Sequence, residues 1–542
     1  MLKKYIVILL VSSLGLFAFK ADDYFEISKN LDIFASVYKE VNTSYVDQVK
    51  PGQLIRAAID GMLKSLDPYT NFYSEAQAED YRYEVTGTYA GIGSTIRVVD
   101  DFVVIESPYD DYPAHKAGLI PGDRIMAIDG EDMKGKSSKE VTEYLKGNAG
   151  TSFMMTIFRQ GEGELEKKIT REQIKIKNVP YFGIVNDNVG YIKLTGFTPN
   201  AGNEVKDAVI ELKSKGATSF VLDLRNNGGG LLHEAINIVN VFVKRGETIV
   251  TTKGKFKEDN KSYKTLNSSI DTETPLVVLI NENSASASEI VSGGLQDIDR
   301  AVLIGRNSFG KGLVQTTKPL TYNTQMKITT AKYYIPSGRL IQRLDYGNKV
   351  DGQASEVADS AKHVFKTKNG REVIDGEGIQ PDILVEIDKY SKVAQSLLRN
   401  NLIFKFATDF RSKNETVVEA TEFDVSEELY QNFIDFLQDK EYEYTTSTET
   451  VLSKLVAQSK DDKYYDLLKD ELDKLESELN ATKGADLTNN KDEIKELIEY
   501  EIIKRYYFEK GKVEVSFDDD IDLDKAISVL NSSSEYNKIL TN

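Results

Sequence analysis

A serine and a lysine that could act as a nucleophile and its base lie near the middle of this 542-residue chain. Ser286 follows an apolar run, Leu276 to Ile280, that reads as a buried strand, and it precedes a helix predicted to begin near Ala287. Lys311 stands between two glycines, after a second short apolar run, Val302 to Ile304. Both side chains could therefore return to the same edge of a sheet.

A serine hydroxyl is a weak nucleophile and needs a base within hydrogen-bond reach. Histidine is the usual base, but no aspartate stands at a suitable spacing from His233, and His115 lies in a different predicted domain. Lysine can replace histidine where apolar surroundings disfavour its ammonium form and lower its pKa. Lys311 has apolar neighbours, and Gln315 could orient its amine without a carboxylate that would keep it charged.

Acyl transfer also needs preorganised N–H donors for the oxyanion of its tetrahedral intermediate. The N–H group of Ala287 at a helix start could supply one donor, and Gly229 or Gly230 could supply the second. These two glycines end the turn D-L-R-N-N-G-G-G, which begins at Asp223. The same turn could be a plain glycine turn or a phosphate loop, although the lysine and Ser/Thr of a phosphate loop are missing.

Ser286 also has a purely structural interpretation. Ser286 and Glu289 have the spacing of a capping box, in which the serine does no more than cap its helix. Ser284 and Ser288 carry the same hydroxyl nearby, so the residues alone leave the nucleophile open.

Composition limits the remaining function classes. Apolar residues make up 40% of the chain and charged residues 28%, which is typical of a globular protein of roughly three to four domains. The absence of cysteine excludes disulfides, thiolate metal sites and cysteine nucleophiles, and three scattered histidines do not indicate a metal site. A net charge of −18 argues against a nucleic-acid partner.

Pattern changes along the chain predict five segments. They are a signal peptide or N-terminal anchor (1–21), a helical N-terminal domain (22–84), a β-rich domain (85–176), an α/β core (177–388) and an acidic helical C-terminal region (389–542). Two lysines followed by an apolar stretch, 5–19, have the form of an export signal, either cleaved or retained as an anchor. The polar segment 346–368 is predicted to be a long surface loop.

The β-rich segment resembles a PDZ domain. The resemblance rests on the loop Gly91-Ile92-Gly93 before a strand, the segment from Ala114 to Leu119, and the turn Pro121-Gly122-Asp123. In that family the glycine loop offers N–H groups to the C-terminal carboxylate of a peptide, which adds as a strand beside it. The resemblance thus implies that Gly91, Ile92 and Gly93 bind peptide.

Several motifs together resemble the carboxyl-terminal processing (tail-specific) proteases. They are S-A-S-A-S-E-I, F-G-K-G with its following glutamine, D-L-R-N-N-G-G-G, A-K-Y-Y-x-P-S-G-R and the PDZ pattern before them, over about residues 22–387. The resemblance implies a crotonase-like, ClpP-related α/β core with an inserted PDZ domain. It also implies that Ser286 is the nucleophile, Lys311 the base and Gln315 the residue that orients it.

The expected protein is an exported serine endopeptidase that cleaves C-terminal tails of envelope or unfolded proteins through an acyl-enzyme, without cofactor or metal. It would work in the periplasm or cell envelope, held at the inner membrane if the anchor is retained. A non-catalytic PDZ scaffold and an acyl-CoA enzyme on a crotonase-like core are the alternatives, and the export signal and acidity disfavour the second. The C-terminal helices could mediate self-association or bind a partner.

Overall fold

The computed structural model describes residues 24–186, 188–350, 352–387 and 389–541. These residues divide into two compact units. The smaller unit contains the described residues up to 79 together with 315–330 and 345–355, and the larger unit contains the rest. The predicted signal peptide or anchor at 1–21 lies outside the described residues. Among the helices of the described ranges, none has the length and apolar character needed to cross a membrane.

The smaller unit contains the helices of the N-terminal segment and short strand pairings. Residues 24–44 are helical. The next helix, Pro51–Lys64, begins at a proline. Proline is tolerated there because an N–H group at the first helical position would have no acceptor within the helix. The strand Asn71–Tyr73 pairs antiparallel with Gln325, Met326 and Lys327. The next helix along the chain is Glu75–Thr86.

The β-rich domain forms a six-stranded antiparallel sheet and two helices, with a separate strand pair at its entry and exit. The strands of the sheet are Ser94–Val99, Phe102–Pro108, Arg124–Ile128, Glu131–Asp132, Ser152–Arg159 and Gly163–Thr170. The entry strand Thr88–Gly91 pairs with the exit strand Glu172–Lys175. The helices are Pro113–Lys116 and Ser138–Leu145, and the second begins with the predicted capping box between Ser137 and Glu140.

A six-stranded central sheet forms the α/β core. Its strands follow the order of the chain: Tyr181–Val185, Val189–Lys193, Ser219–Asp223, Leu276–Ile280, Val302–Gly305 and Ile383–Leu384. The first two strands are antiparallel and the remaining neighbours are parallel. Three helices, Ala201–Ser214, Leu232–Phe242 and Ala287–Asp297, share one large apolar core with the sheet. The predicted strand ends therefore do meet at one edge.

The other side of the central sheet is covered by the end of the chain. Leu523, Ala526 and Val529 of the helix Ile521–Asn531, and Tyr536 of the helix Ser533–Thr541, form a second apolar cluster with sheet residues. The C-terminal helices are thus a structural layer of the core, which the sequence did not reveal.

Five of the remaining C-terminal helices form their own apolar core, and two others, Ser447–Asp461 and Tyr465–Gly484, pack against each other. The five are Lys392–Arg399, Leu402–Lys413, Glu427–Leu437, Asp486–Asn489 and Lys491–Val515. The last of these helices is interrupted at Phe508, where φ is 49° and ψ is −138°. Phe404 of this region packs with Val99 and Val104 of the β-rich domain, so the two domains share a buried contact.

The expectation of a long loop at 346–368 is wrong. Leu344–Val350 pairs with Gln353–Glu356, a 3-10 turn follows at Asp359–Ala361, and Val364–Lys366 pairs with Glu372–Ile374. These strands are short, and nearly all of their described side chains are exposed or half-buried, so they lack the apolar alternation that marks a strand with one buried face. The other short elements are Thr248–Gly254, Lys257–Asp259, Lys261–Lys264, Leu313–Pro319, Gln325–Tyr334 and Ala420–Glu422.

Candidate active site

Ser286 occupies a strained turn between a central strand and the helix Ala287–Asp297. Its φ is 57° and its ψ is −110°, a region that residues with a side chain rarely adopt. The N–H group of Ser286 donates to Glu289 Oε2 at 2.8 Å. This bond forms one half of the predicted capping box and helps to hold the strained turn in place.

The neighbouring serines have structural roles. Ser284 and Ser288 are both fully buried. Ser284 Oγ donates to the carbonyl oxygen of Leu224 at 2.9 Å, and Ser288 Oγ donates to that of Asn227 at 2.8 Å. Ser286 is only half-buried, so among these three hydroxyls it is the one placed to meet a substrate.

Lys311 follows the strand Val302–Gly305 and is half-buried. The glycine before it, Gly310, has a φ of 84°, and a Cβ there would lie 2.5 Å from the Cβ of Arg343. A side chain at position 310 would therefore force the loop away from its neighbour, which explains the glycine.

The buried carboxylate of Glu289 joins the segments that carry Ser286 and Lys311. Besides the N–H group of Ser286, its Oε2 accepts the N–H group of Lys311 at 2.9 Å. Its Oε1 accepts Ser308 Oγ at 2.5 Å and the N–H group of Gly310 at 2.7 Å. Burial raises the pKa of Glu289, and these four hydrogen bonds oppose that rise.

The phenol of Tyr333 connects the same two segments. Its oxygen lies 3.1 Å from the carbonyl oxygen of Ser286 and 2.8 Å from that of Lys311. Burial raises the pKa of Tyr333 well above its ordinary value, which keeps the phenol protonated and able to donate. Sequence reasoning missed Tyr333 and gave Glu289 only a capping role, because both contacts join residues distant along the chain.

The glycine turn lies directly against the Ser286 turn. A Cβ at Gly229 would lie 2.6 Å from the carbonyl oxygen of Ala285 and 2.8 Å from the nitrogen of Ala287. The carbonyl oxygen of Asn227 accepts the N–H group of Ala285 at 3.0 Å, which fastens the two turns together. Only glycine allows so close an approach of the two backbones.

The predicted oxyanion donors are the N–H groups of Ala287, Gly229 and Gly230, and those of Gly229 and Ala287 differ in their hydrogen bonding. The N–H group of Gly229 donates to Asn227 Oδ1 at 2.9 Å. That of Ala287 lies at the first helical position, where a helix supplies no acceptor of its own. Gly230 is the next residue of the turn and lies against Phe197, whose carbonyl oxygen would be 2.6 Å from a Cβ there.

Gln315 lies in the strand Leu313–Pro319 and belongs to the smaller unit. Its Nε2 donates to Thr329 Oγ1 at 3.2 Å. This contact fixes the side-chain amide, and the orienting role toward Lys311 stays a prediction.

The side chain of His233, the alternative base, is largely exposed, and its Nε2 lies 3.6 Å from Glu234 Oε1. These are ordinary surroundings for a histidine at the protein surface. The role of Lys311 as the base stays a prediction.

Backbone hydrogen bonds hold the glycine loop of the PDZ domain for which peptide binding is predicted. Ile92 accepts the N–H group of Ala114 at 2.8 Å, and Gly93 accepts that of Tyr109 at 2.9 Å. Gly93 has a φ of 71°, and a Cβ there would lie 2.5 Å from that of Tyr112. The strand that follows, Ser94–Val99, is the outer strand of its sheet. Gly91, the first residue of the predicted loop, is the last residue of the entry strand and pairs with Glu172.

Four family models match the chain. Those described as peptidase family S41 and as a PDZ domain match residues 188–353 and 104–159. Those described as the activating protease CtpB N-terminal domain and as the C-terminal helical domain of a probable PDZ-protease match residues 18–77 and 393–530.

Similar proteins include a carboxy-terminal-processing protease of Bartonella bacilliformis, 41% identical over 319 residues, which are 58% of this chain and 73% of that protein. A probable CtpA-like serine protease of Staphylococcus aureus is 34% identical over 70% of this chain and 69% of its own length. Among solved structures, the photosystem II D1 C-terminal processing protease is 27% identical, with a TM-score of 0.36, over 65% of this chain and 92% of that one.

The fold and the matched families define a serine-type protease that carries a PDZ domain. The chain belongs to peptidase family S41, the carboxyl-terminal processing proteases whose motifs it contains. The predicted architecture is confirmed: an α/β protease core with an inserted PDZ domain and helical domains at both ends.

Proposed function

We propose that the protein is an exported endopeptidase that cleaves the C-terminal tails of envelope or unfolded proteins with a Ser286–Lys311 dyad. The observation that carries this proposal is that two side chains connect the segment of Ser286 with that of Lys311. Glu289 accepts the N–H groups of both Ser286 and Lys311, and Tyr333 lies within hydrogen-bond distance of the carbonyl oxygens of both. Such fixed main-chain geometry is what a nucleophile and its base require.

The reaction proceeds through an acyl-enzyme. The neutral amine of Lys311 takes the proton of Ser286 Oγ as this oxygen attacks the scissile carbonyl. Lys311 then gives the proton to the departing amine, and the acyl group stays on Ser286. Water, deprotonated by Lys311, attacks the ester, which releases the new carboxyl terminus and returns the proton to Ser286. Gln315 orients the amine.

The oxyanion of each tetrahedral intermediate is held by main-chain N–H groups. The Ala287 N–H group at the helix start supplies one donor, and the glycine pair supplies the second. Because Asn227 already accepts the N–H group of Gly229, Gly230 is favoured as the second donor.

Substrates are selected by their free C-terminus. The N–H groups of the Gly91-Ile92-Gly93 loop bind the terminal carboxylate, and the peptide adds as a strand beside Ser94–Val99. The outer position of this strand supports the proposal, since an outer strand of a sheet can pair with another chain. An amidated peptide should bind more weakly than the same peptide with a free terminus.

Export rests on the first residues of the sequence, two lysines followed by the apolar stretch 5–19. Cell fractionation and N-terminal sequencing of the purified protein test it. A mature N-terminus near residue 22 would indicate cleavage, an intact one in the membrane fraction would indicate an anchor, and a cytoplasmic protein would refute export.

Activity is tested with an unfolded protein substrate and mass spectrometry of the products. Ser286→Ala and Lys311→Ala should each abolish cleavage while the circular dichroism spectrum stays that of the wild type. Ser288→Ala should keep measurable activity. An inactive wild-type protein that still binds C-terminal peptides would instead indicate a PDZ scaffold.

A further inference from the structure

Two aspartates of the C-terminal region form hydrogen bonds with arginines of the α/β core. Asp520 immediately precedes the helix Ile521–Asn531, and Asp522 lies in its first turn. Arg225 Nη1 and Nη2 donate to the two carboxylate oxygens of Asp520 at 2.7 and 2.5 Å. This two-pronged geometry is the strong form of an arginine–carboxylate contact.

Asp522 binds two arginines at once. Its Oδ2 accepts Arg225 Nη1 at 3.0 Å, and both of its oxygens lie 3.1 Å from Arg306 Nη1. The side chain of Asp522 is fully buried, whereas those of Arg225 and Arg306 are 12% and 22% exposed. One buried carboxylate therefore links two arginines that are far apart in the sequence.

Each arginine stands at the start of a catalytic segment. Arg225 is the third residue of the glycine turn that begins at Asp223 and reaches Gly229 and Gly230, beside the Ser286 turn. Arg306 opens the segment that leads to Lys311, and its N–H group donates to the carbonyl oxygen of Ile280 at 3.0 Å. Asp522 thus fixes the distance between Arg225, in the glycine turn, and Arg306, at the start of the segment that leads to Lys311.

The charges of this cluster balance only with the C-terminal aspartates in place. Arg225 Nε and Lys193 Nζ both contact Asp223, at 3.0 and 2.6 Å. Without Asp520 and Asp522, Arg225 and Lys193 would share the buried carboxylate of Asp223, and the charge of Arg306 would be left facing the exposed Glu282 at 3.4 Å. Because an unpaired buried charge is costly, Arg225 and Arg306 would turn toward water. The glycine turn and the Lys311 segment would then no longer be fixed by these side chains.

We propose that Asp520 and Asp522 are positioning residues of the active site, through which the C-terminal helical region sets the geometry of the glycine turn and of Lys311. The inference rests on the proposed Ser286–Lys311 dyad. It gives the C-terminal region a role in turnover in addition to covering the central sheet.

The test compares steady-state cleavage of a peptide substrate by the full-length wild type and Asp522→Asn. We expect kcat to fall about 10- to 100-fold with KM within about twofold, because the catalytic groups are displaced and the PDZ domain is untouched. Asp524→Asn changes an exposed aspartate of the same helix and should behave as wild type. Val529→Ala removes buried apolar contact from the same helix and should lower the melting temperature while kcat stays near that of the wild type.

Arg306→Lys provides a milder variant should Asp522→Asn fail to fold. Its kcat should fall several-fold, and the double variant should lose no more than Asp522→Asn alone, since both changes break one contact. Wild-type kcat in folded Asp522→Asn or in Arg306→Lys would overturn the inference and leave the proposed dyad standing. So would equal kcat losses in Asp522→Asn and Val529→Ala. A wild-type protein without any cleavage would overturn the dyad and this inference together.

Discussion

Replacing Glu289 with glutamine should weaken the connection between the segments of Ser286 and Lys311 while keeping the shape of the side chain. The carboxylate accepts two hydrogen bonds on each oxygen, from Ser308 and Gly310 on one and from Ser286 and Lys311 on the other. An amide has one oxygen, so its NH2 group must face one of these pairs. The least costly orientation turns NH2 toward Ser308, whose hydroxyl can accept.

The size of the loss in stability follows from the hydrogen bonds that remain in Glu289→Gln. In that orientation the buried N–H group of Gly310 faces a donor, which costs about 1–3 kcal/mol, and the N–H groups of Ser286 and Lys311 exchange a charged acceptor for a neutral one. We expect the free energy of unfolding to fall by about 3 kcal/mol. Because the acceptor shared by the Ser286 and Lys311 segments loses its charge, and Gly310, the residue before Lys311, loses its acceptor, kcat should fall about 100-fold.

Urea unfolding followed by circular dichroism measures the stability, since the chain has no tryptophan to report fluorescence. Peptide hydrolysis below the unfolding transition measures kcat. Glu282→Gln is the control, because this carboxylate is 64% exposed and lies on the preceding turn. A folded Glu289→Gln protein with wild-type kcat would refute the anchoring role of Glu289.

Three further results are expected. Tyr333→Phe removes the phenol oxygen near both catalytic segments and should cost about 1 kcal/mol in urea unfolding and lower kcat; unchanged values would exclude that role. Gly229→Ala places a Cβ 2.6 Å from a carbonyl oxygen and should abolish activity, whereas Gly216→Ala, at a similar φ but in open space, should cost about 1 kcal/mol and keep activity. Burial and nearby carboxylates raise the pKa of Glu499 from 4.5 to about 7, so its ionisation destabilises the fold as pH rises between those values. Glu499→Gln should therefore raise the free energy of unfolding at pH 8 by about 1 kcal/mol, after allowance for its partial exposure, and leave it unchanged at pH 4. Melting temperatures at the two pH values measure this, and an equal rise at both would contradict it.

Local sequence signals predicted the fold elements that carry the site. Short apolar runs marked the central strands, and the spacing of Ser137 and Glu140 marked a helix start, because hydrophobic period and capping act within a few residues. Ser286 and Lys311 were candidates because each follows such a strand after a short turn, and only the resemblance to the carboxyl-terminal processing proteases distinguished Ser286 from Ser284 and Ser288.

Long-range contacts could not be read in the same way. Glu289 looked like a helix cap until the structure placed the Lys311 segment on its other side. Asp522 contacts Arg225 across 297 positions, and no local pattern distinguishes it from the other acidic residues of the C-terminal region. The exposed strands at 344–366 were missed because they lack alternation.

The central claim is that Lys311 activates Ser286 for attack on a carbonyl. Mass spectrometry of the protein after reaction with a serine-reactive peptidyl phosphonate tests it most directly, with the labelling rate measured for the wild type, Ser286→Ala and Lys311→Ala. We predict a single adduct on Ser286 in the wild type, none in Ser286→Ala, and labelling at least about 100-fold slower in Lys311→Ala. An adduct on Ser284 or Ser288, or labelling of Lys311→Ala at the wild-type rate, would contradict the claim.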